Sequence, residues 1–341
     1  MRISSPPWAV ANTTGAGSEV SELLRLPTVY GEVRSRLLDE MPGRVTFRPA
    51  RVVVERDVVA FPMHFLVSRS RREVLPQTAP YWGNVDGLEI EPPPGKLGRE
   101  AMEAAFVVDC RYHQFGHILL EAVPRLALLS HVPDDVPIVT SLPLSPTLLT
   151  LASALGVKPE RFRHSGGAVF CAKAYLPDPV VDLSNWIQPV AREAFDRLRV
   201  LGTGSGVTRV ERLYLSRSGQ TRRRLVNEDE IEALFERYGF SIVRPEEHDI
   251  ETQAALVSGA RMIAGLGGSA MHGAVFASPG TPVLIVSSRG WVAHVDVFIS
   301  QANGPLGYVF GEPQTEQGGI RAPWWVEPLE VERAIRSHFC L

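Results

Sequence analysis

The sequence predicts an α/β protein built as two domains, and three observations predict it. The chain has 341 residues, long for one hydrophobic core, so two domains of about 150 residues each are the default. From Arg212 to Val286, strand-like apolar runs alternate with helix-like stretches, the rhythm of a parallel sheet covered by helices. Between the halves lies Gly202-Thr203-Gly204-Ser205-Gly206, flexible by composition and the best domain boundary. The expected division is 1–201, 207–326 and a terminal helix over 327–341.

The first domain opens on an irregular stretch with one helical patch from Ser18 to Leu26. Val52–Ala60 and Phe65–Val67 have strand composition, and Gln77–Arg99, rich in Pro and Gly, is a loop. Ala104–Asp109 is a buried strand by its apolar run. Phe115–Ser130 is a helix and Pro137–Thr140 a short strand. Ser145 starts a helix whose first residue is Pro146, a favoured arrangement, and it ends near Gly156. Ala168–Leu176 is a strand and Ile187–Leu201 a helix.

In the second domain, strands at 212–216, 240–243, 261–265 and 282–286 alternate with helices at 228–238, 250–258 and 269–277. Residues 303–326, with Gly304, Gly307, Gly318 and Gly319, read as a loop that packs between domains. A second reading has its Trp324 and Trp325 stacking on a sugar. Glu327–Phe339 is a helix. Sheets of this kind bind ligands past the carboxyl ends of their strands. Arg217 and the Gly265–Ser269 turn both lie at such ends.

Composition narrows the function. Hydrophobic residues make up 45% and charged residues 21%, as in ordinary globular proteins. A net charge of −3 argues against a nucleic-acid partner. Only Lys96, Lys158 and Lys173 are lysines, so an Arg cluster must be discounted before it is read as a phosphate site. Cys110, Cys171 and Cys340 are too few and scattered for a disulfide framework or a zinc cluster, which fits a reducing compartment. Met1–Ser18 lacks the apolar core of a signal peptide. No run of about 18 apolar residues exists to span a bilayer. A cytoplasmic location follows as the expectation, with peripheral contact at the inner face of a membrane left open. A homo-oligomer is equally compatible with the sequence.

Met262-Ile263-Ala264-Gly265-Leu266-Gly267-Gly268-Ser269-Ala270-Met271-His272 reads as a buried strand, a glycine turn and a helix start. Such a turn brings backbone N–H groups and a helix dipole to an anion, and Arg217, Arg223 and Arg224 could add charge. Glycine also serves a tight strand-to-helix turn for steric reasons alone. The dinucleotide fingerprint is incomplete, with no last glycine and no following acid, which disfavours a nicotinamide cofactor. His272 fits as a neutral donor to phosphate or sugar, or as a packed first-turn residue. Asn227, followed by Glu228, Asp229 and Glu230, reads first as an N-cap with acids in the first turn. Glu246, Glu247 and Asp249 precede the next helix in the same way.

His113, His117 and Glu121 are spaced four and four, which shares one helical face if the helix starts early enough. Three readings stay open: metal ligation, a satisfied structural set, and a general base at His117 or Glu121.

Two blocks resemble glycosyltransferase family 61, also labelled domain of unknown function 563 and here of bacterial type. The first is Gln114-Phe115-Gly116-His117-Ile118-Leu119-Leu120-Glu121-Ala122-Val123-Pro124-Arg125-Leu126. The second runs from Arg212–Arg217 through Arg223–Glu228, Tyr238–Phe240, Gln253, Ala260 and Gly268–His272 to Phe276 and Pro279-Gly280. The resemblance implies a GT-B-like architecture, two Rossmann-like domains facing across a central cleft. It implies an inverting enzyme that moves a sugar from a nucleoside-diphosphate sugar to a hydroxyl acceptor on a polysaccharide, glycolipid or natural product. Relatives often serve capsule or other polysaccharide assembly.

On that reading, the acceptor lies on the N-terminal domain and the donor on the C-terminal one. Glu121 and His117 are the catalytic residues, with Asp109 as the fallback base. Arg217, Arg223, Arg224, Asn227, Gly267, Gly268, Ser269 and His272 bind the donor, and His113, Gln114 and Arg125 support the acceptor side. No cofactor or metal is expected, because no D-x-D triplet occurs in the chain and arginines would neutralise the leaving diphosphate. Gln114, Gly267 and Gly273 depart from the usual Asn, His or acid, and Asn, pointing to an unusual donor or a weakened member. The alternatives are a non-catalytic sugar-nucleotide module, and a metal hydrolase using His113, His117 and Glu121.

Overall fold

The computed structural model describes residues 19–61, 65–68, 100–110, 112–204, 206–219, 222–315 and 321–341. The expected loop at 77–99 lies outside them. Two compact units emerge. The first gathers 1–20, 46–181 and 188–194; the second gathers 21–45, 182–187 and 195–341. Among the described residues, no helix is long and apolar enough to cross a membrane.

The opening stretch is more ordered than its sequence suggests. In place of the helical patch at Ser18–Leu26, strand β1 (Val20–Leu23) pairs with β3 (Arg44–Phe47). Alternate residues of β1 are half-buried and exposed, a period of two that is too short a run to separate from a helical turn by eye. Between them lie β2 (Thr28–Tyr30) and the one-turn helix α1 (Arg36–Asp39).

The first unit is built on a six-stranded mixed sheet. Its strands are β4 (Val52–Phe61), β5 (Phe65–Ser68), β6 (Glu100–Val107), β7 (Ile138–Thr140), β8 (Phe162–His164) and β9 (Val169–Pro177). Their order is β5-β4-β9-β6-β7-β8. The last four strands run parallel, and β4 and β5 close one side antiparallel. After β6 the chain enters a continuous helical stretch in three registers. It is α over α2 (Phe115–His117), π over Ile118–Ala122 and 3-10 over Val123–His131. Pro124 supplies a cause. It has no N–H to donate, and its ring collides with the carbonyl four residues back, here that of Leu120. Helix α3 (Pro146–Ala154) is capped as expected, with Ser145 accepting from Leu148 N–H at 3.3 Å. The short β10 (Val181–Asp182) and β11 (Trp186–Ile187) pair with each other, so Ile187 ends a strand and helix α4 runs Pro189–Leu198.

The second unit is a doubly wound sheet. Its parallel strands are β12 (Arg212–Leu215), β13 (Ser241–Val243), β14 (Met262–Leu266), β15 (Val283–Ser288) and β16 (Leu306–Pro313). They are ordered β13-β12-β14-β15-β16. In sequence terms this is 2-1-3-4-5, and the winding reverses between β12 and β14. Helices α5 (Glu228–Arg237) and α6 (Ile250–Gly259) follow β12 and β13. A six-residue 3-10 turn (Met271–Phe276) stands where a helix over 269–277 was expected. Helix α7 (His294–Ser300) follows β15, β17 (Trp324–Trp325) pairs antiparallel to β16, and α8 (Pro328–Phe339) closes the chain. Leu213, Tyr214, Ile263, Ala264 and Leu284–Val286 are fully or almost fully buried. Burial at about 1.5–3 kcal/mol per large apolar side chain fixes the strand ends that carry the site.

The expected loop at 303–326 is corrected by β16, whose Tyr308, Val309 and Phe310 are buried. Its glycines serve close packing. A Cβ on Gly307 would lie 2.8 Å from His338 Nδ1 and 2.9 Å from Tyr30, and one on Gly311 would lie 2.2 Å from the Trp325 carbonyl oxygen. Beyond β16 the sheet is completed by β2, paired parallel through Gly307–Thr28, Tyr308–Val29 and Val309–Tyr30. Gly202 of the glycine run belongs to the second unit and lies against α6, where a Cβ would come 2.3 Å from Ala255 N.

Candidate functional site

Two clusters of functional side chains stand out, one in each unit. In the first unit the cluster forms after β6 and β7. His117 Nδ1 and Glu121 Oε2 lie 2.5 Å apart, within one turn of the helix. The Glu121 side chain is wholly buried, whereas that of His117 is 25% exposed. The Tyr112 ring stands edge-on to the imidazole at 5.0 Å. Arg125 is buried below, and its charge is favoured by Glu121, Cys110 and Asp109, though burial holds its pKa under the usual value. Its Nη1 donates to the Asp109 carbonyl at 3.4 Å. Glu121 is thus a carboxylate set between an imidazole and a guanidinium, on a π segment of a kind that recurs at functional sites.

His113 does not join this face. The helix starts at Phe115, so His113 precedes it and turns elsewhere. Its Nε2 lies 3.5 Å from Ser141 Oγ, and Ser141 donates from both Oγ (2.5 Å) and N–H (3.1 Å) to Asp109 Oδ2. Gln114 is exposed at the helix start without capping it by its side chain. Among the described residues, no three His, Cys, Asp or Glu side chains gather as metal ligands do. Burial, then Asp109, pushes the Cys110 thiol up to about 12.

In the second unit the cluster sits at the carboxyl ends of β12 and β14, where the winding reverses. That is where doubly wound sheets bind ligands. Arg217 lies across the glycine turn. Its Nη1 donates to the Gly267 carbonyl at 2.7 Å, and a Cβ on Gly268 would meet the same nitrogen at 2.8 Å. Its main-chain N–H donates to Glu228 Oε1 at 3.2 Å. Gly267 N–H is used by the Val286 carbonyl, and the carbonyls of Gly268, Ser269 and Ala270 accept from the next turn. Among the described residues, the N–H groups of Gly268, Ser269 and Ala270 have no backbone acceptor. The short 3-10 turn that follows has little dipole, so charge here comes from side chains.

Those side chains are arginines. Arg223 adopts the left-handed conformation, φ 55°, which costs a non-glycine residue on the order of 1 kcal/mol and persists only where surroundings hold it. Trp324 Nε1 donates to its carbonyl at 2.9 Å, and its guanidinium lies 3.9 Å from the centre of the Trp291 ring. Burial lowers the Arg223 pKa to about 10, with Arg217 and then Arg222 adding repulsion. Arg224 is exposed, and its carbonyl accepts from Trp324 N–H at 3.0 Å. Three like charges are therefore gathered here, and Arg222 rather than Arg224 is the third. Trp324 is buried and clamps the arginine loop, while Trp325 is partly exposed.

Asn227 holds the N-cap position of α5, followed by acids in the first turn, but its side chain makes no cap bond. Its Nδ2 donates instead to Val326 O at 2.9 Å and to Glu230 Oε2 at 3.3 Å; Asp249 does cap α6 with its side chain, accepting from Thr252 N–H at 2.8 Å. His272 is buried, with Nε2 3.7 Å from Oδ1 of the buried Asp296. Burial raises the Asp296 carboxyl well above the usual range.

Residues 115–284 match the model of the family described as glycosyltransferase 61. The match begins at the helix of the His117–Glu121 pair and ends in β15, so it takes in that pair, the arginines and the glycine turn. No curated protein matches the chain. The chain belongs to the glycosyltransferase 61 family.

Proposed function

We propose that this glycosyltransferase inverts the anomeric centre of a nucleoside-diphosphate sugar, with His117 as the general base and the arginine cluster as the diphosphate cradle. The observation that carries the donor half is the crowding of Arg217, Arg222 and Arg223 at the switch point of the sheet, where burial and then their mutual repulsion hold Arg223 at about 10. A dianionic leaving group offsets that repulsion, and guanidinium forks match its oxygens two at a time. The N–H groups of Gly268 and Ser269 add donors where charge develops. Neutralisation by arginine is what makes the chemistry metal-independent on this reading.

The burial difference carries the base half. Glu121 is too deep to meet an acceptor, whereas His117 has an exposed edge. With Nδ1–H donated to Glu121, the ring takes the tautomer whose Nε2 is basic. Glu121 then orients the imidazole and stabilises its protonated form, as a buried carboxylate does in a hydrolase triad. The acceptor hydroxyl gives its proton to Nε2, its oxygen bonds to the anomeric carbon, and the bond to the diphosphate oxygen breaks. The GT-B arrangement, a cytoplasmic setting and an acceptor of polysaccharide, glycolipid or natural-product type belong to the same proposal.

The test is a melting screen of the full chain against uridine, guanosine, cytidine, adenosine and thymidine diphosphates, repeated with Arg217→Ala. One nucleotide should raise Tm by mass action, and the variant should lose that rise. Folded protein that answers to none of the five would overturn the donor reading.

A further inference from the structure

Trp291 lies in the segment between β15 and α7, beyond residue 284 where the family match ends. Its ring touches the donor cluster twice. A Cβ on Gly267 would come 3.0 Å from Trp291 Cζ3 and 2.6 Å from Ser287 Oγ. The indole therefore occupies the space that a side chain at 267 would need. The ring also carries the Arg223 guanidinium at 3.9 Å. Two hydrogen bonds fix the loop that holds it. Trp291 N–H donates to Ser288 O at 3.0 Å, and Ser287 Oγ donates to Trp291 O at 2.9 Å.

Arg223 is held from both sides. Its main chain is pinned in the left-handed region by Trp324, and its side chain lies against the indole. Stacking uses a face of the guanidinium and leaves its N–H edge for hydrogen bonds. Nε of Arg223 is buried and has no hydrogen-bond partner among the described residues. A planar fork so oriented, beside the turn that Arg217 crosses, suits the oxygens of a diphosphate. Left unsupported, a long cationic side chain would move away from Arg217 and Arg222 into solvent.

We propose that Trp291 is a positioning residue of the donor site: its ring holds Arg223 where the guanidinium grips the diphosphate. Glycine at 267 is the complement of that arrangement, because a side chain there would press on Ser287 and on the ring. The departure at Gly267 is then a substitution in kind, with Trp291 supplying the wall that a side chain at 267 would supply. This rests on the donor reading above.

The experiment is calorimetric titration of the full chain with inorganic pyrophosphate, which needs no knowledge of the base, and then with the nucleoside diphosphate found in the melting screen. Trp291→Ala should weaken pyrophosphate about tenfold, within the range of a partly desolvated cation–π contact. Trp291→Phe should restore most of the affinity. Arg223→Ala should show a similar loss, and the double variant should lose little more than either single one. A wild-type protein that binds neither probe overturns the donor reading and this inference together. Binding that Arg217→Ala abolishes and Trp291→Ala leaves intact overturns this inference alone. A Trp291→Ala loss seen with the nucleoside diphosphate but not with pyrophosphate assigns the ring to the base, and also overturns it.

Discussion

The two clusters are built on opposite principles. The arginine cluster sits where topology puts it: a 2-1-3-4-5 sheet opens a crevice between β12 and β14, and Arg217 and the glycine turn are the residues at those strand ends. Its task is spread over several groups. The His117–Glu121 pair sits on a helix forced out of α register beside Pro124, and its task rests on one imidazole and one carboxylate. On the proposed reading, regular structure supplies a redundant binding site, and a local irregularity supplies a single-point chemical one.

That contrast predicts unequal losses. The largest should follow His117→Ala, which should lower turnover about 10²- to 10⁴-fold while nucleoside-diphosphate affinity and melting temperature stay near wild type. Single-turnover release of the diphosphate checks this. Unchanged turnover would move the base to Asp109 and end the contrast. A smaller loss should follow Gly268→Ala. The new Cβ would collide with the Arg217 guanidinium, the far end of a flexible side chain, which can swing aside. Donor Kd should rise severalfold with little change in Tm; a large drop in Tm would mean that the turn is a structural element first.

The smallest effect concerns Glu228, which accepts from Arg217 N–H. Burial, then Glu232, pushes its carboxyl up to about 7. The native state therefore holds this proton more tightly than the unfolded chain. The resulting stability is fully present below the ordinary carboxylate value and is lost as pH rises through about 7. Melting measured from pH 5 to 8 should fall more steeply for wild type than for Glu228→Gln, which keeps the acceptor oxygen and removes the charge. Parallel curves would show that Glu228 is ionised throughout at no cost.

Legibility followed the same contrast. Strands β12, β14 and β15 were readable because parallel strands buried on both faces give continuous apolar runs bounded by turns. Arg217 and the glycine turn could be placed from that alone. Strand β16 was hidden because Gly307 and Gly311 look like loop residues, although each fills a position where backbone or ring leaves no room for a Cβ. The spacing of His117 and Glu121 was visible, but their unequal burial was not, since it depends on the π turn. His113 was misgrouped by two residues of helix start. Trp291 carried no local signal, as its role arises from a glycine far from it in sequence.

The pairing of Thr28–Tyr30 with Gly307–Val309 sets a clock on biosynthesis. The ribosome makes Thr28–Tyr30 long before Gly307–Val309, an interval on the order of tens of seconds at about 5–20 residues per second. Throughout that time the early strand has no sheet to join, and the second unit cannot finish folding until β16 has been made. Cutting the gene at the glycine run would therefore not yield two independent proteins, because the downstream piece would leave its own edge strand behind.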